Sequence, residues 1–521
     1  MAAAGRICED KGAPKAPSPV SPTPPTSPDG TVAPPGNGAG AGARSAPLRV
    51  VVAGATGFVG RALIERLRTR YEVIGLTRGT PPASTDSPGQ PGLRWRHCDL
   101  FSLLDAERAL EGAQVAVYLI HSMMPSARLT QGSFADMDLI VADNFRRAAE
   151  RQGLSQIVYL GGLIPEAAEL SPHLTSRLEV ERTLGAGTVP LTALRAGLVL
   201  GPNGSSFRIL ENLVARLPVM LLPRWARTPT QPIALPDLLA LLEACLGNPE
   251  TYGRVCEVGG PDVLTYRELI AATARAQGVK RLLVNVPAFS PRLSNLWVSV
   301  VTGTPLQLVA PLVESLRHPM VAKDPWLQRR LGRPGQGVAE SLAGSVSARH
   351  GGKRAPEPKR KRGPRPGRPV GPVRSVQRLP LPKGWRAGQV ARAYARFLPD
   401  FLSPLLRVTV DAENGFHFYL RGLGRPLLEL TWSADRSTDD RQLFYVTGGL
   451  LARRVEGGRA RLEFREVLGG EAVLAGVHDF TPRLPWLVYN LSQSLVHLVV
   501  MAGFGRWLAK QDRAGVAPPE P

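Results

Sequence analysis

The chain has 521 residues, which is more than one ordinary domain needs and leaves ample material for large buried cores. Lys and Arg outnumber Asp and Glu by 64 to 43, but the excess is uneven: residues 349–378 hold eleven basic residues against the single acid Glu357. Since the rest of the chain is only mildly basic, we expect no sequence-specific nucleic-acid binding.

Both ends of the chain and its cysteines indicate a cytoplasmic protein. Residues 1–47 are rich in Ala, Pro, Gly and Ser and contain no apolar run, so we expect a disordered tail and no signal peptide. A second disordered tail is expected at 511–521. The four cysteines lack metal or disulfide spacing and suit a reducing compartment; they are Cys8, Cys98, Cys245 and Cys256.

The first predicted element is a strand, a glycine turn and a helix over residues 48–70. The segment 48–60 reads LRVVVAGATGFVG, with glycines at three-residue intervals. Gly54 permits a tight turn, Gly57 lets the backbone approach a pyrophosphate, and Gly60 lets the helix pack closely on the strand. The helix amino terminus adds free N–H groups for phosphates. The alternative is an ordinary glycine turn. The predicted phosphate loop comprises Gly54, Ala55, Thr56, Gly57, Phe58, Val59 and Gly60.

Strand-like and helix-like segments then alternate as far as residue 256. The predicted strands are 48–53, 72–77, 93–98, 115–121, 156–161 and 191–195, and the clearest helix is 134–152. This alternation predicts an α/β fold with a Rossmann-type doubly wound parallel sheet, covered by helices on both faces. Ligands are then expected at the carboxyl ends of the strands.

Polar residues that follow the predicted strands are candidate cofactor contacts. Arg78 stands where an NAD site usually has an acid, so NADP(H) is favoured over NAD(H); an unliganded surface arginine is the alternative. Asp99 and Leu100 follow the third strand and could meet the adenine, although Asp99 could instead cap the next helix. His121 and Ser122 end the fourth strand, where a nicotinamide ribose would pass.

The remaining chain divides by composition into three parts. Residues 197–330 mix short apolar runs with prolines and are predicted to cover the cofactor crevice. Residues 331–379 form a Pro/Gly/Arg linker, densest at 359–362, which is either a solvated connector or an electrostatic attachment to anionic lipid or nucleic acid.

Residues 380–510 are predicted to form a C-terminal α+β domain. A helix at 390–402 is followed by strands at 405–411, 416–420, 427–432, 442–447, 459–467 and 472–480, and a long helix at 484–508 closes the domain. A sheet wrapped around a terminal helix either encloses an apolar cavity or has a solid core that serves oligomerisation.

Two uncharged stretches are long enough to span a membrane. Residues 293–313 contain two prolines, and residues 484–505 contain several polar side chains. Packed helices are therefore favoured for both, and peripheral membrane contact stays open.

Several motifs give the chain a resemblance to a known superfamily. They read GATGFVG (54–60), CDL (98–100), VYLGGL (158–163), ALRAGLVLGP (193–202), QPIALPDL (231–238) and EVGGPDVLTYREL (257–269). The chain resembles the extended short-chain dehydrogenases/reductases, and more narrowly the atypical NmrA-like branch that includes the accessory subunit of respiratory complex I. SPHLTSRLEVE (171–181), RLPVMLLPRWART (216–228) and LVAPLVESL (308–316) make it most similar to bacterial members with an uncharacterised C-terminal domain. The resemblance covers 48–325 and extends less specifically over 380–510, where it suggests a START-like helix-grip fold.

The chain departs from this superfamily at the catalytic residues. Active members pair a Ser or Thr after the fifth strand with Tyr-x-x-x-Lys on the next helix. Here the strand ends in Gly161-Gly162, and the resemblance places His173 and Arg177 at the Tyr and Lys positions. A neutral imidazole can accept a proton from an alcohol, and Arg177 can hold a ribose or phosphate.

Each of these assignments has an alternative. His173, Arg177 and Glu181 could form a solvated helix face, perhaps with an Arg–Glu pair. The missing hydroxyl could come from Ser122 or Ser171. The two glycines could let a flat ligand approach the backbone, or could simply form a turn.

Together these features predict an NADP-dependent oxidoreductase of the atypical extended class, acting on a hydrophobic, quinone- or lipid-like substrate without the usual Tyr–Lys pair. The alternative is a non-catalytic NADPH-binding sensor or assembly factor that engages a protein partner. A weaker third hypothesis makes the C-terminal domain a lipid carrier. No metal is expected. The protein is expected in the cytoplasm, with contact to an anionic membrane through the basic linker left open.

Overall fold

The structure is a computed structural model that describes residues 47–81, 91–121, 130–167, 169–202, 204–286, 313–351, 373–453, 455 and 458–518. Several predicted features lie outside these residues: the N-terminal tail with Cys8, Ser122, the apolar stretch 293–312 and the basic run 359–362. Helices and strands are numbered in chain order within the described part.

The N-terminal part is built around a parallel sheet of seven described strands. They are β1 Arg49–Ala53, β2 Glu72–Thr77, β3 Gly92–His97, β4 Val115–Tyr118, β6 Gln156–Gly162, β7 Leu191–Ala196 and β12 Val255–Val258. The order is β12-β7-β6-β4-β1-β2-β3, and every neighbouring pair is parallel. The change of direction at β1 is the topological switch point of a doubly wound sheet, where ligands bind at the carboxyl ends of the strands.

Helices cover both faces of this sheet. They are α1 Phe58–Leu67, α2 Leu103–Leu110, α3 Phe134–Arg151, α4 Pro172–Gly185 and α6 Leu235–Cys245. Leu63 of α1 and Leu238 of α6 are buried on one face, and Ile140 of α3 and Leu184 of α4 are buried on the other. The predicted doubly wound Rossmann-type fold is therefore confirmed.

The region after β7 contains short helices and three two-stranded sheets. The helices are α5 Ser205–Arg216, α7 Tyr266–Ala276, α8 Trp326–Arg330 and α9 Val338–Gly351. The strands are β8 Val199–Leu200, β9 Val219–Leu222, β10 Pro229–Thr230, β11 Ile233–Ala234, β13 Leu264–Thr265 and β14 Leu282–Asn285, paired as β10–β13, β11–β8 and β14–β9. Val338 and Leu342 of α9 are buried against Phe207 and Leu269, so part of the range assigned to the linker is packed helix.

The C-terminal part is an eight-stranded sheet with helices on one side. Its strands are β15 Val373–Pro380, β16 Leu406–Val410, β17 Phe416–Leu420, β18 Pro426–Trp432, β19 Arg441–Gly448, β20 Arg461–Val467 and β21 Ala472–Phe480, joined by the two-residue β5 Thr130–Gln131. The order is β16-β17-β18-β19-β20-β21-β15-β5. All neighbours are antiparallel except β15 and β5, so a short strand of the N-terminal part extends this sheet.

Helices α10 Ala387–Phe401, α11 Trp486–Leu491 and α12 Gln493–Ala514 complete this part. The predicted single helix 484–508 is wrong, because the backbone of Ser492 leaves helical geometry (φ −125°, ψ −86°) and separates α11 from α12. Between the helices and the sheet, the ring centroid of Phe504 lies 5.2 Å from that of Tyr394 and 5.3 Å from that of Phe397. Aromatic side chains therefore fill this space, as the solid-core alternative expects.

The two parts share one buried core. Val376 of β15 and Leu474 of β21 belong to the same buried cluster as Ile140 and Phe145 of α3. The described residues between 47 and 518 accordingly belong to one compact unit. Within the described residues, no helix is both long enough and apolar enough to cross a membrane.

Candidate functional site

The predicted phosphate loop has the geometry that a dinucleotide requires. The backbone of Gly54 has φ +90°, and a Cβ there would lie 3.1 Å from the carbonyl of Leu119 at the end of β4. A Cβ on Gly60 would lie 2.2 Å from the carbonyl oxygen of Gly54, so only glycine fits. Gly57 caps α1 without a side-chain hydrogen bond, and the first turn of α1 has no acid. The helix amino terminus is therefore available to phosphate oxygens.

The adenine-side candidates lie at the neighbouring ends of β2 and β3. The backbone N–H of Cys98 donates to the carbonyl of Thr77 at 2.9 Å, so Arg78 and Asp99 follow their strands at the same edge of the sheet. Arg78 is exposed and forms no ion pair with a described residue. Asp99 does not cap α2, because Ser102 does so by accepting the N–H of Asp105.

The remaining candidates for nucleotide contact differ in exposure. Thr56 and Gly57 are exposed, Phe58 and Val59 are half-buried, and Ala55 is buried. Leu100 is buried and its carbonyl accepts a hydrogen bond from Asn144.

A second group of predicted residues meets at the carboxyl ends of β4 and β6. His121 follows β4, while His173 and Arg177 project from α4. The rings of His121 and His173 have centroids 4.9 Å apart. The carboxylate of Asp138, on α3, accepts hydrogen bonds from Arg177 Nη2 at 2.6 Å and from His121 Nδ1 at 3.1 Å. The fold thus brings four polar side chains together where the nicotinamide end of a dinucleotide would lie.

Both imidazoles of this cluster are neutral at physiological pH. Burial, with the neighbouring His121 and Arg177, lowers the pKa of His173 to about 3. Burial and Arg177 also lower the pKa of His121, and the hydrogen bond and charge of Asp138 oppose this shift. Because the carboxylate takes the proton-bearing Nδ1 of His121, its Nε2 carries a lone pair. Neither His121 Nε2 nor His173 Nδ1 has a hydrogen-bond partner among the described residues.

The solvated-face alternative for α4 is wrong. Arg177 and Glu181 are buried, at 6% and 8% exposure, and Glu181 pairs with Arg195 rather than with Arg177. Ser171, a suggested source of the missing hydroxyl, caps α4 and is hydrogen-bonded to Ser315.

The two glycines at the end of the fifth predicted strand do not form a turn. Gly161 and Gly162 are the last residues of β6 and pair with Arg195 and Ala196 of β7. A Cβ on Gly162 would lie 3.9 Å from Arg177 Cγ, so the bare backbone borders the cluster.

Sequence reasoning missed Asp138. It lies in the largely apolar run 137–141 of α3, and its partners His121 and Arg177 are 17 and 39 residues away in the chain. The signal available in the sequence was an acid within that run; in the structure its side chain is 1% exposed, and a buried carboxylate requires a partner.

The comparison with protein families agrees with this geometry. Residues 50–215 match the NAD dependent epimerase/dehydratase family. Residues 50–215 are similar to that family and are called the epimerase-family domain after this match. The epimerase-family domain contains the phosphate loop, Arg78, Asp99 and the His121–Asp138–His173–Arg177 cluster, so its fold and its loop are those of an NAD(P)-binding protein.

Two curated relatives match parts of the chain. The auxiliary protein GraX of Staphylococcus aureus is 32% identical over 114 residues, 22% of this chain and 36% of GraX. The mitochondrial NADH dehydrogenase [ubiquinone] 1 alpha subcomplex subunit 9 of Arabidopsis thaliana is 25% identical over 246 residues, 44% of this chain and 58% of that subunit. The chain thus spans about a third of the length of GraX and somewhat more than half of the length of the plant subunit. The plant subunit lies in the predicted branch of the superfamily.

Among solved structures, a nucleoside-diphosphate-sugar epimerase from Staphylococcus aureus is similar to part of this chain. The TM-score is 0.46 at 17% identity, covering 57% of this chain and 99% of that one.

Proposed function

We propose that the protein is an NADP-dependent oxidoreductase in which His121, oriented by Asp138, replaces the tyrosine of the usual catalytic pair. The observation that carries this proposal is the cluster at the ends of β4 and β6, with its unpartnered imidazole nitrogens. A reduced nicotinamide supplies a hydride when bound. The epimerase-family domain would hold its phosphates through backbone N–H groups in the first turn of α1, from Phe58 onward, because that of Gly57 donates to the carbonyl of Gly54 at 2.9 Å.

The cluster assigns different tasks to its members. His121 Nε2 exchanges a proton with the substrate oxygen, because Asp138 keeps the other ring proton on Nδ1. His173 lies beside His121, half-buried and neutral, and would form a hydrogen bond with the substrate without adding a charge. Arg177 is held by Asp138 and positions that carboxylate. In the direction of carbonyl reduction, the imidazolium form of His121 would donate its Nε2 proton to the substrate oxygen, and the reduced nicotinamide would supply the hydride to the carbon. In the direction of alcohol oxidation, neutral His121 Nε2 would accept the hydroxyl proton, and the oxidised nicotinamide would take the hydride.

A hydrophobic substrate, quinone- or lipid-like, is part of the proposal. In the region after β7, the paired strands β9 and β14 expose Val219, Leu221, Leu282 and Val284 at 38–61%. An apolar surface of this kind in the part expected to cover the crevice supports an apolar ligand.

We predict that Arg78→Ala weakens NADPH binding about tenfold to a hundredfold and changes NADH binding less than about threefold. The guanidinium at the end of β2 would form charge-assisted hydrogen bonds with the 2′-phosphate, which NADH lacks. Titration followed by tryptophan fluorescence measures both constants. Arg68→Ala, an exposed arginine at the end of α1, is the matched control. Equal losses for both nucleotides would refute the NADP preference.

A non-catalytic NADPH-binding sensor or assembly factor is the second candidate. The observation that favours it is Arg177: its guanidinium is tied to Asp138, whereas the usual mechanism needs a cation that holds the ribose. In that case the wild-type protein binds NADPH but shows no turnover, and substitutions of His121 leave NADPH binding unchanged.

We also propose peripheral contact with an anionic membrane surface. Helices α11 and α12 expose the apolar stripe Val488, Leu491, Leu495 and Val499 at 49–66%, and the stripe continues in the exposed Arg506 and Lys510. No acid occurs between residues 480 and 511. Apolar side chains flanked by cations suit the surface of an anionic bilayer, and the basic stretch 349–378 adds charge.

Leu495→Glu is predicted to reduce co-sedimentation with phosphatidylglycerol-containing vesicles at least fivefold, because it places an anion in the apolar stripe. Leu282→Glu, an equally exposed leucine on β14, serves as the control and leaves co-sedimentation unchanged. If the stripe instead joins two copies of the chain, the wild-type protein is a dimer and Leu495→Glu is a monomer. That result would exclude membrane contact at this surface.

A further inference from the structure

Strand β15 presents two arginines to the epimerase-family domain. Arg374, Val376 and Arg378 alternate along the strand and therefore share one face. Val376 is buried in the core that both parts share. Arg378 pairs with Asp136 of α3 and Glu179 of α4, at 2.7 Å each. The C-terminal sheet is thus joined to the elements that carry the candidate site.

Arg374 reaches the adenine side of that site. Its Nη2 lies 2.7 Å from Asp99 Oδ2, and its guanidinium carbon lies 4.0 Å from the ring centroid of Phe101. The Arg374 side chain is only 9% exposed, whereas that of Asp99 is 30% exposed and faces the solvent side of the pair. The other carboxylate oxygen of Asp99 accepts the backbone N–H of Phe101 at 3.3 Å.

We propose that Arg374 is a positioning residue for the nucleotide: a strand of the C-terminal sheet neutralises and orients Asp99 at the adenine end of the cofactor site. The inference rests on the proposed function, since it requires the dinucleotide to lie across the ends of β2 and β3. Asp99 follows β3 at that edge of the sheet, and a carboxylate without a counter-ion at that point repels the phosphates of the ligand. Arg374 removes this repulsion and holds the carboxylate in one orientation.

A consequence is that nucleotide binding depends on docking of the C-terminal sheet. The epimerase-family domain has other arginine-mediated contacts with this sheet, such as Arg436 with Glu107 of α2 at 3.2 Å. Glu107 is not among the nucleotide candidates, so Arg436 provides a matched control: it also joins the two parts through an ion pair.

The experiment is NADPH titration of the full chain and its variants at low and high salt. Arg374→Gln is expected to raise the Kd about tenfold, and Arg436→Gln less than about twofold. The decisive variant is the double substitution Asp99→Asn, Arg374→Gln, which removes the unpaired carboxylate and should return the Kd to within about threefold of the wild-type value. The defect of Arg374→Gln should shrink as salt screens the repulsion.

Each outcome has a separate meaning. Thermal unfolding of both single variants shows whether the protein remains folded at the titration temperature. A Kd for Arg374→Gln equal to that of Arg436→Gln, or a double variant that recovers no affinity while folded, contradicts the role of Arg374. Absence of NADPH binding in the wild-type chain contradicts the proposed function itself.

Discussion

Asp143→Ala is expected to destabilise the protein by about 3–5 kcal/mol, the range for removing one partner of a buried ion pair. The Asp143 carboxylate, 3% exposed on α3, lies 2.7 Å from nitrogens of Arg146, Arg147 and the C-terminal Arg465. Its removal leaves three arginines facing one another at the junction of the two parts. Urea unfolding followed by tryptophan fluorescence measures the change.

Two companion variants make this prediction specific. Asp440→Ala removes another acid bound to Arg147, but its side chain is 39% exposed, so we expect a loss of only about 1 kcal/mol. Adding Arg465→Met to Asp143→Ala should recover part of the stability, because it removes a buried cation that has lost an anion. Equal losses for Asp143→Ala and Asp440→Ala would show that the junction does not depend on this network.

The same carboxylate predicts how stability depends on pH. Burial alone would raise the pKa of Asp143, but Arg465, Arg147 and Arg146 together hold it below its ordinary value. A lowered pKa in the folded state means that the stabilisation is complete above about pH 4, the unfolded value, and is lost as the pH falls further. The stability difference between wild type and Asp143→Ala should therefore narrow below about pH 4.

The elements that sequence patterns predicted best are those whose periodicity is local. The run 72–77 is the strand Glu72–Thr77, buried except at Thr77, and the apolar spacing over 134–152 is the helix Phe134–Arg151. The phosphate loop was predictable for the same reason, since its glycines act within seven residues of chain.

What the sequence did not reveal depends on distant partners. Strand β15 was assigned to the basic linker because Arg374 and Arg378 look like solvated charges. In the structure they meet Asp99, Asp136 and Glu179, which lie about 200 or more residues earlier. Asp138 was missed for a similar reason. Long-range ion pairs leave no periodic signal in the chain that carries them.

His121→Ala is expected to lower turnover at least about a hundredfold while leaving the Kd for NADPH within about twofold of wild type. His121 Nε2 is the atom that exchanges the proton in the proposed mechanism. The proposed nucleotide contacts, the phosphate loop and Arg78, do not involve His121, so NADPH binding should be kept. The assay follows NADPH oxidation with 1,4-naphthoquinone as the probe. His417→Ala is the matched control, since His417 also pairs with an aspartate, Asp411 at 2.9 Å, but on the C-terminal sheet.

Asp138→Asn separates a positioning role from a merely structural one. Asp138 raises the pKa of His121 through its hydrogen bond and its charge, against the lowering by burial and Arg177. Without that charge the pKa of His121 falls further, so less of the proton-donating imidazolium is present at a given pH. The basic limb of the pH–rate profile for NADPH oxidation should therefore move to lower pH. An unmoved basic limb, or turnover that survives in His121→Ala, would assign the cluster a structural role and leave NADPH binding as the function of this site.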